Sequence, residues 1–522
     1  MKGSFYRAAI ASVLVLLIVL SGCGRSVSGP AAEAANDITI MVSGKLNPED
    51  ASPVKSSTEM CLYEMVYEPL VKYGPEGVIE PGLAESWKIS DDGTQYTFQL
   101  RKDVKFSDGT DFNADSVISS AKRWDPKTFS TPLINVEKVD EYTVKLTFAK
   151  SCYPVLIELT YPRPYRIAGE SSFNEQGEFI KMVGTGEWMV DSYIPEEEVV
   201  MIPNPHYYGE KPQIAKITIR KVTDGQARIM ALQSGDADLS LADLPSESKS
   251  VIQSSGKLDV LRTEGTMGFF LMLNQESQIL QDKNVRLALN YALDKDSIVK
   301  NIFEEEAVAA KGILPGTVPY VTDGNSAGYA YNSAKAKELL AASGYTDKDG
   351  DGIVEKDGSP LTLNLVFQAE EYASWKSICE YLQAAAKEAG IDLKLEQRDT
   401  SAYYDAIWSN RKFDLIIYRT YADSWNPHGF LRSMFYQAEG GKAVCWYDSQ
   451  LNGYLDEVLL TQDEKTRQAK YDQILKLIND EALVVPLAYP DKQYAYNKRL
   501  QNAKAAPTTY EGIEWQLITI SK

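Results

Sequence analysis

The chain has 522 residues, 44% hydrophobic and 24% charged, an ordinary globular balance that excludes intrinsic disorder as its main state. At about 150 residues per domain, that length holds roughly three domains and enough chain for large cores. Lys+Arg 54 against Asp+Glu 73 gives a net charge of −19, which repels phosphate backbones and makes nucleic acid a poor partner. The only histidines, His206 and His428, are too few for a three-imidazole metal site.

The N-terminus reads as a processing signal. Lys2 and Arg7 flank the start of an uncharged, mostly apolar run, Ala8 to Leu20, too short for a membrane span of about 20 residues. It ends in Leu20-Ser21-Gly22-Cys23, which looks like a bacterial lipobox: cleavage before Cys23 and a diacylglycerol on its thiol. Residues 1–22 are thus expected to be a lipoprotein signal peptide. Residues 23–36, rich in Gly, Ser, Ala and Pro, read as a tether reaching about 20 Å. The expectation is a protein anchored by lipid at the outer membrane face or in the periplasm. Cys61, Cys152, Cys379 and Cys445 match no CxxC motif, and the sequence leaves both disulfides and buried free thiols open.

Along the mature chain, Asp91-Asp92-Gly93 signals a turn before a strand with Tyr96, Phe98 and Leu100 on one face. Tyr142, Val144, Leu146 and Phe148 repeat the alternation. In the run 282–299, Asp282 caps a helix whose stripe is Val285, Ala288, Leu289 and Ala292. The acidic run Glu304 to Glu306 reads as a solvated face or loop. Helices are expected at 333–343, 374–389 and 465–480, interleaved with strands at 361–368, 391–397 and 413–419, an α/β lobe after a strand-rich first half. Between them, Asp347, Asp349 and Asp351 have the spacing of a calcium loop. Its twelfth position is Gly358 instead of a bidentate Glu, so 347–358 reads first as a Gly/Asp-rich connector and only second as a calcium site.

A series of blocks in fixed order gives nearly the whole mature chain a resemblance. YEPLV (67–71) is followed by LAESWKISDDGTQYTFQLRKDVKFSDGTDFNADSV (83–117), GTGEW (184–188), NPHYYGEKP (204–212) and SGDADL (234–239). VRLALNYALDKDSI (285–298), NPHGFL (426–431) and VPLAYPDKQYAYNKR (485–499) complete it. The chain resembles the family-5 extracytoplasmic solute-binding proteins of ABC importers for peptides and nickel. That resemblance implies an α/β, two-lobed periplasmic-binding-protein-like fold of type II, with an extra strand-rich subdomain in lobe I and ligand capture by hinge closure. The implied division is 37–60 for the first segment of lobe I, 61–187 for the subdomain, 188–268 for lobe I, 269–488 for lobe II and 489–522 for the return to lobe I. It implies a monomer working with ABC permease subunits, without a cofactor and without catalysis. In agreement, GxSxG and HExxH motifs are absent.

The site residues follow from the same resemblance, nearest to the nickel and metallophore branch. ELTYPRPYRI (158–167) is similar to a Pro-Arg-Pro segment whose Arg grips a chelator's carboxylate, and the matching residue is Arg163. Its planar guanidinium suits a carboxylate bidentately, and the prolines on either side stiffen its backbone. Arg166 reads as structural. Met60 matches a methionine touching the chelate, and in RTYADSWNPHGFL (419–431) Arg419, Tyr421 and Trp425 fall at ligand-facing positions. Asp423 falls where peptide-binding relatives hold the ligand's ammonium. His428 reads as structural more than as a metal ligand, His206 as a surface-loop residue, and MFYQAEGG (434–441) lacks the histidine that nickel-type relatives place there. Direct metal ligation by the protein is therefore not expected. The ligand read from these residues is a small zwitterion, nickel or another metal as an organic chelate. An oligopeptide or dipeptide is the alternative, and a ligand sensor feeding a signalling receptor is the alternative of another class.

Overall fold

The computed structural model describes residues 36–52, 59–74, 77–126, 128–242, 248–372, 374–421, 425–508 and 513–521. Cys23, residues 24–35 of its tether and Asp423 lie outside these residues. Among the described residues no helix is long and apolar enough to cross a membrane.

One strand organises the molecule. Val484–Asn497 runs 14 residues, pairing at its start with Phe269–Leu273 and later with Leu258–Glu264. The preceding chain, 258–273, therefore follows this strand from one sheet region into the other. On one side of the crossing the order outward is Phe269–Leu273, Leu415–Arg419, Thr362–Phe367, Asp392–Gln397. On the other it is Leu239–Ser240, Asp37–Val42, Lys216–Lys221, Glu198–Pro203, Trp188–Ile194. The result is two α/β lobes joined by two adjacent strands. The Phe269–Leu273 strand, FFLML, is buried at every position, as a central strand covered on both faces requires.

The buried apolar residues follow this division. The second-lobe core draws on residues 269–488, with one intruder from elsewhere, Tyr153. A first-lobe core gathers Ile38 to Tyr67, Met182 to Leu261 and Leu500 to Ile518. A third, from Leu70 to Val183 with Leu459, backs a four-stranded antiparallel sheet of Ala84–Ile89, Gln95–Leu100, Thr143–Phe148 and Leu133–Asp140. Cys61–Tyr67 pack into the first-lobe core and not into that subdomain.

The expected alternation is present: Tyr96, Phe98, Leu100, Val144, Leu146 and Phe148 are all buried. The helices at Ser333–Ala342, Ser374–Glu388 and Glu464–Asp480 lie within a residue of the expected spans. The run after Asp282 holds two helices. Lys283–Ala292 stops at an extended Leu293, and Asp294 caps Lys295–Asn301 by accepting from Ser297 N. All four cysteines described are buried free thiols, which closes the question the sequence left open.

The C-terminal return is fastened by Asp238, almost fully buried. Its Oδ2 accepts from Arg499 Nη2 at 2.6 Å and from Thr39 N at 2.8 Å, and Arg499 Nη2 also donates to Asp37 O at 2.8 Å. Removing a buried partner strands the others, so Asp238→Ala should lower unfolding free energy by about 2–3 kcal/mol in urea titration. An unchanged midpoint would show that this junction does not hold the return.

Candidate functional site

The parallel strands of both lobes, Asp37–Val42 with Lys216–Lys221 and Thr362–Phe367 with Asp392–Gln397 and Leu415–Arg419, end toward the crossing. Open α/β sheets bind ligands outside such carboxyl ends. The second-lobe candidates sit there: Arg419 ends its strand, and Tyr421 and Trp425 follow in the loop before the helix Pro427–Phe435.

This loop reaches the first half of the chain. Trp425 is buried, its N–H donates to Tyr73 OH at 3.3 Å, and its ring lies so close to Gly77 that a Cβ there would stand 2.7 Å from Trp425 Cγ. Asn426 Nδ2 donates to Tyr161 OH at 3.1 Å. Tyr161 is two residues before Arg163, which is half-buried. The structure thus brings Tyr161, just before the Pro-Arg-Pro segment, together with Trp425 and Asn426 at one seam between the lobes. Tyr421 is held by a 2.7 Å hydroxyl contact with Ser433 Oγ and an edge-on contact with Phe430. Arg419 places its guanidinium 6.0 Å from the Tyr372 ring, which stacks on Trp375 at 4.6 Å. Nearby, Tyr404 OH donates to Glu371 Oε2 at 2.7 Å.

Met60 opens the helix Met60–Val66 and is half-buried against the first-lobe core. Behind it lies a charged seam. Tyr208 OH donates to Glu68 Oε1 at 2.7 Å, and Arg101 covers the Tyr208 ring at 5.3 Å. Burial lowers the Arg166 pKa to about 10, against the pull of Glu64 and Glu68. Burial, with Glu68 nearby, pushes Glu187 up to about 7. Arg166 belongs to this buried network, as a structural reading of it requires.

The two histidines lie in different settings. His206 is exposed in the loop after Asn204, beside Gly109. His428 is fully buried in the helix Pro427–Phe435, with Nε2 3.2 Å from Leu455 O. Burial holds its pKa down at about 4. Among the described residues one acidic group converges: Asp347, Asp349, Asp351 and Glu355, with ligand atoms within 4.8 Å of one another. Glu355 occupies the ninth position of that loop and is missed by a reading that looks only to the twelfth. These carboxylates accept from backbone N–H groups of the same loop, Gly350 N to Asp347 at 2.7 Å and Ile353 N to Asp351 at 2.8 Å. Tyr73, Gly77 and Tyr161 are also missed by sequence; only Tyr161 carried a signal, its place beside Arg163.

With this geometry in hand, comparison with known proteins is informative. Residues 78–442 match the family "Bacterial extracellular solute-binding proteins, family 5 Middle". The nickel-binding periplasmic protein of Escherichia coli is 33% identical over 488 residues, covering 90% of this chain and 91% of that protein. The oligopeptide-binding protein AppA of Bacillus subtilis is 25% identical over 528 residues, covering 95% of each. The crystal structure of NikA from Brucella suis in complex with Fe(III)-EDTA superposes with a TM-score of 0.83 at 29% identity, covering 92% of this chain and 100% of that one.

His428 makes a pH prediction. It is neutral in the fold with a pKa near 4, and about 6.5 when unfolded. Above pH 6.5 it costs nothing; as pH falls from 6.5 toward 4 the unfolded chain takes the proton first, and stability drops by up to about 3 kcal/mol. His428→Gln, which keeps a donor for Leu455 O, should flatten that part of the stability–pH curve measured by urea unfolding. An unaltered slope would place the acid sensitivity elsewhere.

Proposed function

Because the chain belongs to the family-5 bacterial extracellular solute-binding proteins, the solute-capturing components of ABC importers, we propose that its cargo is a metal ion, nickel foremost, carried as an organic chelate with a free carboxylate. The observation that supports this reading is the meeting of two segments across the lobes, Tyr161 beside Arg163 with Asn426 beside Trp425. A carboxylate on Arg163 and an apolar face against Tyr421, Trp425 and Met60 would engage both lobes at once, with Arg419 flanking on the second-lobe side. An ammonium group on Asp423 would complete a zwitterion's match. Such a ligand binds the closed arrangement better than the open one, which is the condition for ligand-driven closure.

The relatives point the same way at a coarser grain. One is named for nickel, and another structure holds an amino-polycarboxylate iron chelate. With only two histidines, one buried on Leu455 O and one exposed in a loop, most metal ligands must come from the chelator. The same shortage favours a second reading, a peptide receptor, to which Asp423 and the likeness to an oligopeptide-binding protein also lend support. Native mass spectrometry of the purified protein separates the two: metal with a small carboxylate-bearing molecule supports the chelate, and a metal-free ladder of peptide masses replaces it.

Two variants test the parts. Arg163→Ala should weaken Ni²⁺/L-histidine binding in calorimetry by about 2–5 kcal/mol, the range for breaking one side of a desolvated charge pair, with little change in ligand-free Tm. Unaltered affinity would put Arg163 outside the site. For the anchor, we propose that Cys23 carries the lipid: Cys23→Ser should move the protein from membranes to the soluble fraction, and persistence on membranes would defeat that reading.

A further inference from the structure

A second set of contacts joins the lobes away from the crossing strands. Tyr153 sits in the subdomain, just before the short helix Val155–Glu158, yet its side chain belongs to the second-lobe core. Its hydroxyl meets that of Tyr471, and its ring lies edge-on to Tyr320 at 6.4 Å and to His428 at 6.3 Å. The Arg467 guanidinium stands 4.5 Å from the ring centroid. Beside it, Tyr153 N donates to Leu459 O at 3.1 Å, and Gln462 Nε2 donates to Ser151 Oγ at 2.8 Å.

The receptacle is complete without Tyr153. Tyr320 and Tyr471 stack at 4.4 Å with 7° between their planes. Arg467 Nε donates to Tyr320 OH at 2.8 Å, and its Nη1 donates to Thr461 O and Gln462 O at 2.9 and 3.0 Å. These bonds hold a cation and two ring walls in place, all from the second lobe. An aromatic ring with a hydroxyl tip suits such a socket, because the apolar body and the polar tip are both satisfied.

We propose that Tyr153 is a clasp. It enters the Tyr320–Arg467–Tyr471 socket when the lobes come together and leaves it when they part. His428 links the socket to the cargo side, being the second residue of the helix that begins directly after Trp425 and Asn426. The clasp therefore rewards the same lobe arrangement that brings Tyr161 to Asn426, and ligand and clasp shift one equilibrium in the same direction. This inference rests on the two-lobe closure reading and is independent of what the cargo is.

The test traps the clasped state in protein stripped of ligand and carrying Cys23→Ser. With Cys152→Ala to remove the neighbouring thiol, Ser151→Cys and Gln462→Cys are joined by a short bis-thiosulfonate, and the cross-linking rate reports how often the two lobes meet here. The parent should cross-link readily. Adding Tyr153→Ala should slow the reaction at least threefold, and Tyr471→Phe, which keeps the ring and removes one hydroxyl, should slow it less. Should Tyr153→Ala fail to fold, Tyr471→Phe decides alone. Equal rates in the variants, or no cross-linking in the parent, overturn the clasp. Because no cargo is present, neither result bears on the nickel-chelate reading.

Discussion

Both lobes share one strand, and that shared strand sets what the molecule can do. Val484–Asn497 is hydrogen-bonded into the second-lobe sheet at one end and the first-lobe sheet at the other, with 258–273 alongside it. Within each sheet the strand is locked by its ladder, and the ladders hand over near 264–269 and 488–491, where Ala488–Pro490 also pair with Ala307–Ala309. Two adjacent backbone connections permit bending and twisting and resist sliding apart. Lobes hinged in this way can open and close with both sheets intact, Tyr153 leaving the second-lobe core and Leu459 the subdomain core as they part, which is what separates a capture device from a fixed pocket.

A hinge of this kind supplies no preference of its own; the preference comes from contacts made only when the lobes meet. Trp425 against Gly77 and Tyr73, and Asn426 with Tyr161, are contacts of that class. Each is small, and each places an aromatic or amide group beside a residue expected to touch the cargo. A ligand bridging the same seam adds to them. If the lobes already touch without ligand, the ligand needs to supply only the remainder of the free energy of closure, and apparent affinity is the closed-state affinity multiplied by the fraction already closed.

Much of this was legible in the sequence. The strands 362–367 and 392–397 and the long helices declared themselves through alternating apolar residues and 3.6-residue stripes, because those patterns report local geometry and burial together. Two helices where one stripe runs on were harder: the interruption at Leu293 depends on Asp294 accepting from Ser297 N, and a second Asp cap inside a periodic run gives only a faint signal. The acidic run at Glu304–Glu306 read as solvated, yet Glu306 pairs with Lys249 at 2.5 Å and accepts from Gln493 at 3.0 Å, because folding lays the helix Ser248–Ser255 beside it. Tyr153 was silent for the strongest reason. Its hydroxyl partner lies 318 residues away, and no local pattern encodes that pairing.

The placement of the two histidines carries the argument about cargo furthest. First-row metals differ in affinity for a given donor set in a fixed order, so a bare ion held by a few oxygens would be selected by availability more than by identity. His428 offers little remedy: its Nε2 lies against Leu455 O and its ring packs beside Tyr153, where burial keeps it neutral and structural. A protein with this donor set gains selectivity more readily by recognising an organic chelate. On the proposed chelate reading the chelator would choose the metal, and the protein would read shape, aromatic contact and a carboxylate's charge. Those are the properties that a guanidinium on a proline-stiffened segment and a row of aromatic side chains are suited to read.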